Sequence, residues 1–425
     1  MVEKIETKNA LSALDAKTNR QLLYYLDICT RCSICKDACH QYVTTNDVLY
    51  LPAYRAELIR RVYRKYFTTG GKLLPSAMEA REIDEKLLTD LYRSMYACTG
   101  CRRCMYYCPF SIDTTWFVGV AKAMLVALGR GATILDELAS AAIMKGENID
   151  MFRDILIEGM KDTEDELKAK VGDPHASLPI GKQGADVLYV ALAGTHTILP
   201  MAVIFHQAKT NWSLSLYEAA NYGYFLGDTE KARVIAKRFV DEAKALGVKE
   251  VIISECGHAY KVMNFLYEAW AKEKLPFKIR AVVDVMHDYI KDGRIKLKPG
   301  TVTEPVTYHD PCQLGRNAGF YEEPREIVKM VATDYREMTP NREKNWCCGG
   351  GGGLVAEDEF LELRLRSGDK KVEQIRATGA KIVVTPCENC RLQLDGLKER
   401  HTLDIKITSM MDWVVEAMEI PAVKS

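Results

Sequence analysis

Residues 347–353 read Cys-Cys-Gly-Gly-Gly-Gly-Gly, and this stretch restricts the fold more than any other. Sulfurs on adjacent residues point in different directions, which suits a multi-metal cluster better than one tetrahedral ion. The glycines that follow let backbone N–H groups crowd close to something bulky and anionic. Upstream stands His309-Asp310-Pro311-Cys312, with 34 residues between Cys312 and Cys347. Downstream stands Pro386-Cys387-Glu388-Asn389-Cys390, with 38 residues between Cys348 and Cys387. The glycine run also reads as a phosphate loop, but no Gly-Lys-Ser/Thr follows it.

A second pattern lies near the start. Cys29, Cys32, Cys35 and Cys39 are spaced Cys-x2-Cys-x2-Cys-x3-Cys, and the run recurs at Cys98, Cys101, Cys104 and Cys108, followed by Pro109. This spacing holds paired [4Fe–4S] cubanes in bacterial-type ferredoxins, where the fourth cysteine of each run reaches the other cluster. One cubane is therefore assigned to Cys29, Cys32, Cys35 and Cys108, the other to Cys98, Cys101, Cys104 and Cys39. Zinc fits poorly, because its sites use four ligands as two pairs and not two identical quartets. Arg102 and Arg103, inside the second run, read first as solvated charges and otherwise as charges that raise the potential of a nearby cluster.

Cysteine usage settles which chemistry to expect. Of fourteen cysteines only Cys256 stands outside these motifs, so metal and not disulfide bonding is expected. Fifty-eight basic residues balance fifty-eight acidic ones, which gives no reason to expect nucleic acid as a partner. No apolar run reaches the roughly 18–20 residues of a spanning helix, and Met1-Val2-Glu3-Lys4 has no hydrophobic signal core. A cytoplasmic chain is expected, bound peripherally to the inner face of the cell membrane through partner subunits.

The fold class expected is α + α/β. Residues 1–20 read as a polar, loosely held arm within a helical two-cluster ferredoxin-like domain over 1–130. Leu51–Phe67 and Ala80–Tyr96 carry apolar residues at helical spacing and are broken by Thr68-Thr69-Gly70-Gly71. Residues 131–184 form a helical connector (Glu147–Lys170) and a linker (Val171–Gly184). Two α/β units then follow, over 185–300 and 301–425, as an internal repeat forming one lobe. Helix, glycine, strand and Glu255-Cys256 in the first match helix, glycine, strand and Pro386-Cys387 in the second. Strands are expected at Ala185–Ala193, Val251–Ser254, Val306–His309 and Lys381–Thr385. Cys256, Cys312 and Cys387 each fall just past a strand, where ligands of such folds gather. Ile405–Met418 reads as a strand and amphipathic helix closing the second unit, or else as a Met-rich face that docks a membrane subunit.

With both cysteine patterns in hand, the chain resembles the family of the heterodisulfide reductase D subunit, whose cysteine-rich domain carries the CCG signature. Within it, the resemblance is greatest to the sulfate-reducer relatives, the K subunit of the sulfite-reduction-associated membrane complex and the B subunit of the related Tmc complex. It runs from about residue 20 to the C-terminus. In that family the cysteine-rich repeat holds a non-cubane [4Fe–4S] cluster for disulfide or thiol chemistry. Carried over, its ligands are Cys312, Cys347, Cys348, Cys387 and Cys390, with Gly349, Gly350 and Trp346 around the cofactor. The first repeat keeps only Cys256, so the resemblance implies no second non-cubane cluster there.

The function implied is reductive cleavage, or formation, of a disulfide or persulfide-type bond, with electrons passing through the two cubanes. Cys256 is a candidate redox thiol or extra ligand and His258 a candidate proton donor, each against a plain reading as a buried relic or a satisfied histidine. Partners implied are an integral-membrane haem b or quinone subunit, further redox subunits (cytochrome c, iron–sulfur), and a small disulfide or sulfur-carrier protein. The alternative is an electron-transfer subunit with no substrate of its own.

Overall fold

The computed structural model describes residues 4–144, 153–192 and 195–420. The chain gathers into two compact units, one of Met1–Glu137, Tyr222–Asp228 and Glu343–Val372, the other of Leu138–Asn221, Thr229–Arg342 and Glu373–Ser425.

The first unit is helical. Helix Pro52–Phe67 starts on a proline at its first position, where the missing N–H costs nothing. It buries Leu58, Ile59 and Val62 completely. Helix Glu85–Tyr96 is capped by the Asp84 carboxylate, which accepts from Leu87 N–H at 2.6 Å. Its inner face is Leu87, Leu91 and Met95, all fully buried. Helix Thr115–Ala127 lies deepest, with Phe117, Ala121 and Met124 at 0% exposure. Between the first two of these helices Thr68 is extended, and both glycines fall in the short helix Thr69–Leu73 that it caps.

The arm expected over residues 1–20 is corrected by the structure. Lys4–Lys17 is a helix packed against Thr115–Ala127, with Ala10 and Leu14 fully buried. Its sequence, KIETKNALSALDAK, is rich in strong helix formers but has too few apolar residues to show a stripe.

The second unit holds two parallel sheets. β1 (Val187–Val190), β2 (Trp212–Leu214), β3 (Glu250–Ile253) and β4 (Lys278–Ala281) pair in the order β2-β1-β3-β4. β5 (Val306–Tyr308), β6 (Ile382–Thr385) and β7 (Lys406–Ser409) pair in the order β5-β6-β7. Leu188 lies opposite Val251, and Val306 opposite Ile382. Parallel neighbours need crossover connections, here helices. Thr229–Leu246 leads into β3 and Asp369–Thr378 into β6. Each stops at a glycine in the left-handed region, Gly247 (φ +67) and Gly379 (φ +62).

Both sheets share one core, in which Tyr189 and Ile252 of the first join Val306 and Val384 of the second. Met410 and Met411, at most 1% exposed, belong to that core. The Met-rich docking face is thus corrected: the methionines begin helix Met410–Ala417 and pack inward. Val171 ends a helix; the rest of the expected linker, 172–184, has no helix or strand, only the bridge of Ile180 to Leu214, and it seals the core with Ala176 and Leu178. The connector helix is Arg153–Val171; the part expected over 147–152 lies outside the described residues, as does Ala193 of the first expected strand.

If Lys4–Lys17 is part of the core, Leu14→Ala should cost about 2–5 kcal/mol. Ser12→Ala, on the exposed face of the same helix, should change stability by less than about 0.5 kcal/mol. Urea midpoints of the two variants, read by circular dichroism, check the contrast.

Candidate metal centres

The two N-terminal quartets build the same loop twice. Arg31 and Ser33 in the first, and Gly100 and Arg102 in the second, take left-handed backbone at matching positions, φ between +60 and +65. Three of the four are not glycine, so the turns carry local strain that something must offset.

Cys29, Cys32, Cys35 and Cys108 line one cavity, with Cys104 at its wall and Pro52, Ala56, Ile112 and Phe117 around it. Cys39, Cys98, Cys101 and Cys104 line another, with His40, Arg55 and Thr99. The fourth cysteine of each run thus stands with the first three of the other.

The chemistry of these cavities suits iron–sulfur groups. Burial pushes the Cys35 thiol up to about 12, and it raises Cys39 and Cys104 as well. Such sulfurs lose their protons to a metal and not to water. Two buried cations wait nearby. Arg55 is 2% exposed and reaches Ser94 O and Gln41 Oε1. Burial opposes its charge, yet the Cys98, Cys39 and Cys104 sulfurs hold it above its ordinary value. Lys122 donates to Phe225 O at 2.7 Å, and burial lowers it to about 8 against the pull of Cys98 and Glu357. Neither forms an ion pair with a carboxylate among the described residues. A negatively charged cluster in the Cys39/Cys98/Cys101/Cys104 cavity would supply the missing countercharge.

The reading of Arg103 as a solvated charge is corrected. Its side chain is 2% exposed. The guanidinium stacks 3.5 Å from the Trp346 ring centroid and 4.6 Å from that of Tyr107. It donates to the carbonyls of Ala38 (2.9 Å), Asp37 (3.2 Å) and Lys344 (2.9 Å). One side chain of the second quartet therefore fastens the first quartet and the approach to Cys347. Arg102, by contrast, is partly exposed and pairs with Asp113 at 2.9 Å.

Cys347 and Cys348 are each 2% exposed. Gly349 N–H points at Cys347 Sγ (3.4 Å) and Gly350 N–H at Cys348 Sγ (3.5 Å). Gly352, at φ +72, lies so close to the second quartet that a Cβ would meet Cys98 O at 2.6 Å. Two residues that no sequence motif singles out also meet here. Cys347 Sγ is 3.5 Å from Thr99 Oγ1, and His40 Nε2 is 3.2 Å from the same oxygen. Their only cue was position, each directly following a cysteine of a quartet.

In the second unit, Cys256, Cys312, Cys387 and Cys390 are all buried. They follow β3, β5 and β6, so the carboxyl ends of the strands carry them. Cys387 stands at the N-cap of helix Glu388–His401. A hydrogen bond with Cys390, then the N–H groups of Cys390 and Gly257, hold it below the ordinary thiol value against the effect of burial. Cys256 caps the helix Gly257–Lys261, and its thiol is pushed up to about 12 by burial first and by Cys387 second. Gly257 has no room for a side chain: a Cβ would meet Gln313 Cβ at 2.6 Å. That contact brings the loop after β3 against the one after β5. His258 is 5% exposed, and so buried beside this junction. Asp310, two residues before Cys312, is clamped by Arg325 through two bonds of 2.8 Å. Arg325 lies outside every cysteine motif and carried no sequence cue.

Glu255 occupies the place that Pro386 holds in the second half. It is fully buried, and its Oε1 accepts from Met410 N–H (2.9 Å) and Met411 N–H (3.1 Å). Burial raises its carboxyl well above the usual value.

Two outcomes follow. Arg103→Lys removes the planar fork and should cost about 2 kcal/mol or more, with iron lost faster to a chelator than from the parent; urea melts and chelator time courses measure both. For Glu255, the folded group holds its proton to higher pH than the unfolded one. The stability this proton confers is complete below about pH 4.5, the unfolded value, and is lost as pH rises through the folded value. Glu255→Gln should abolish that decline, so the difference in urea midpoint between variant and parent should widen from pH 5 upward.

Comparison with known proteins gives matches along the whole chain. Residues 25–112 match the family of the 4Fe-4S dicluster domain, and residues 306–395 match that of the cysteine-rich domain. The iron–sulfur subunit of an Hdr-like menaquinol oxidoreductase from Archaeoglobus profundus is 30% identical, over 95% of this chain and 81% of its own length. The D subunit of the dihydromethanophenazine:CoB–CoM heterodisulfide reductase of Methanosarcina mazei is 26% identical over 97% of both chains. An EtfAB:quinone oxidoreductase of Syntrophomonas wolfei is 22% identical over 93% of this chain and 58% of its own.

Proposed function

The chain belongs to the family of the heterodisulfide reductase D subunit and the Hdr-like menaquinol oxidoreductase iron–sulfur subunits, and from that premise we propose the route and end point of its electrons. It is an iron–sulfur oxidoreductase subunit. In our reading, 1–130 is the two-cubane domain, 131–184 the connector, and 185–300 and 301–425 tandem CCG-type repeats. The shared order β1-β3-β4 and β5-β6-β7, each middle strand preceded by a helix and a left-handed glycine, supports the repeat.

Cys29, Cys32, Cys35 and Cys108 would hold one cubane, and Cys39, Cys98, Cys101 and Cys104 the other. Cys312, Cys347, Cys348, Cys387 and Cys390 would hold a non-cubane [4Fe–4S] group, as their spacing and the cysteine-rich family match suggest. When bound, such groups supply one-electron steps and a metal seat for a sulfur atom. The net reaction is a disulfide plus two electrons and two protons giving two thiols, or its reverse. A quinol-linked partner subunit in the membrane would exchange the electrons. No helix among the described residues is long and apolar enough to cross a membrane.

The observation that carries a catalytic reading is a buried thiol outside the proposed ligand set. Cys256 is 4% exposed, and the Gly257 N–H that follows it reaches Cys387. Cys256 would be the thiol that meets the substrate sulfur, with His258 as proton donor to the departing thiolate. The second reading, a subunit that only relays electrons, draws on the first half's loss of all its motif cysteines but Cys256.

Iron and acid-labile sulfide on anaerobically purified protein, with EPR of oxidised and reduced samples, test the cluster count. About 12 iron atoms and an oxidised-state signal distinct from the cubanes are expected; about 8 and no such signal would sink the non-cubane assignment. Cys256→Ala should keep the full iron content and slow reduction of a small aromatic disulfide by at least about tenfold. Wild-type protein that is fully loaded yet turns over no disulfide would leave the relay reading.

A further inference from the structure

We propose that Thr99, oriented by His40, is a positioning residue that sets the reduction potential of the centre to which Cys347 belongs and couples it to the second quartet. The inference rests on the reading that Cys347 ligates an iron–sulfur group.

Thr99 sits between two cysteine motifs. Its backbone follows Cys98, and its hydroxyl lies 3.5 Å from Cys347 Sγ. A ligating sulfur carries no proton, so at that contact it can only accept, and the Thr99 O–H must be the donor. The hydroxyl has one proton to give. His40 Nε2, at 3.2 Å, decides where it goes. If Nε2 carries a hydrogen and donates to Thr99 Oγ1, the Thr99 hydrogen is left for Cys347. His40 Nδ1 is buried without a hydrogen-bond partner, so among the described residues Thr99 is the one hydrogen-bond partner of the ring. Orphaned buried nitrogens are rare, and sites completed by a bound group are one place they occur.

The geometry is enforced from the other side. Gly352 presses on Cys98 O and on Thr99 Cα, where a Cβ would stand at 2.6 and 3.0 Å. A side chain at position 352 would therefore push the glycine run away from Thr99. Ligand atoms of His40, Cys101 and Cys347 all lie within 4.8 Å of one another. Sulfurs of two motifs this close leave no room for an insulating layer. A hydrogen bond donated to a ligating sulfur draws charge from the metal and favours its reduced form, which raises the potential. Thr99 would thus make the acceptor easier to reduce at the point where the two motifs approach.

The test is an EPR-monitored redox titration of the full chain, purified anaerobically, for the parent, Thr99→Val, Thr99→Ser and His40→Leu. Thr99→Val keeps the shape and removes the hydroxyl. It should shift the midpoint of the non-cubane signal to lower potential at unchanged iron content, with the cubane of the first cavity unmoved. Thr99→Ser should restore the parent value. His40→Leu should shift the same signal in the same direction, since the hydroxyl loses its orienting partner. A fully loaded Thr99→Val protein that titrates like the parent overturns the inference. So does an unshifted His40→Leu protein, which decides the matter should Thr99→Val fail to load. A parent protein that shows no third signal at all instead sinks the reading of Cys347 as a ligand.

Discussion

The structure of the first unit depends on burying sulfur. A cysteine sulfur in an apolar wall resists losing its proton, and burial raises Cys35, Cys39 and Cys104 in this way. The unit answers with buried positive charge. Arg55 and Lys122 each lie near Cys98, and neither forms an ion pair with a carboxylate among the described residues. Arg103 does a different job with the same kind of head group. Its planar fork reaches carbonyls on two loops while its face lies on Trp346. A lysine could supply the charge but not the three-way geometry. The cations thus divide into those that balance charge and one that fixes the frame.

How much of this was readable beforehand follows from which forces act locally. The cysteine spacings announce themselves, because a cluster fixes how far apart its ligands can stand along a chain. Strands β1, β3, β5 and β6 were readable too, since short apolar runs bounded by turn residues and cysteines admit few conformations. Helix Lys4–Lys17 was not. Its hold on the fold comes from two small contacts, Ala10 and Leu14, and neither makes a periodic signal. Arg103 misled for the same kind of reason: adjacent arginines look alike in sequence, and only tertiary packing sends one inward to Trp346 and leaves the other with Asp113. Thr99, His40 and Arg325 act through residues far away in the chain, where no local pattern can register.

The two sheets of the second unit carry like strand ends with unlike residues. The orders β1-β3-β4 and β5-β6-β7 correspond, and a left-handed glycine precedes each middle strand. At the carboxyl end of β6 stands Pro386-Cys387; at that of β3 stands Glu255-Cys256. The difference has a structural effect. Glu255 reaches across to the first turn of helix Met410–Ala417 and satisfies two N–H groups that would otherwise be buried unpaired. Glu255 thus caps a helix that follows the other sheet. The backbone bond from Glu388 N–H to Glu255 O, at 2.9 Å, makes the same junction a second time.

The pair of N-terminal cavities shows one loop set in two surroundings. They are built by the same loop, yet their surroundings differ. The one lined by Cys29, Cys32, Cys35 and Cys108 opens near the surface, where Cys32 is exposed and Ile34 is 49% exposed, and its wall carries Arg31 and Thr114 beside apolar residues. The one lined by Cys39, Cys98, Cys101 and Cys104 has the buried Arg55 and Thr99 in its wall. Apolar walls disfavour added negative charge; cations and hydroxyl groups favour it. Identical groups placed in these two settings would differ in potential, because a buried cation such as Arg55 is screened less by water than a partly exposed one such as Arg31. Cys101 of the second cavity has its sulfur within 4.8 Å of that of Cys347. Such a difference needs no change of ligands, only a change in what the same loop was folded against.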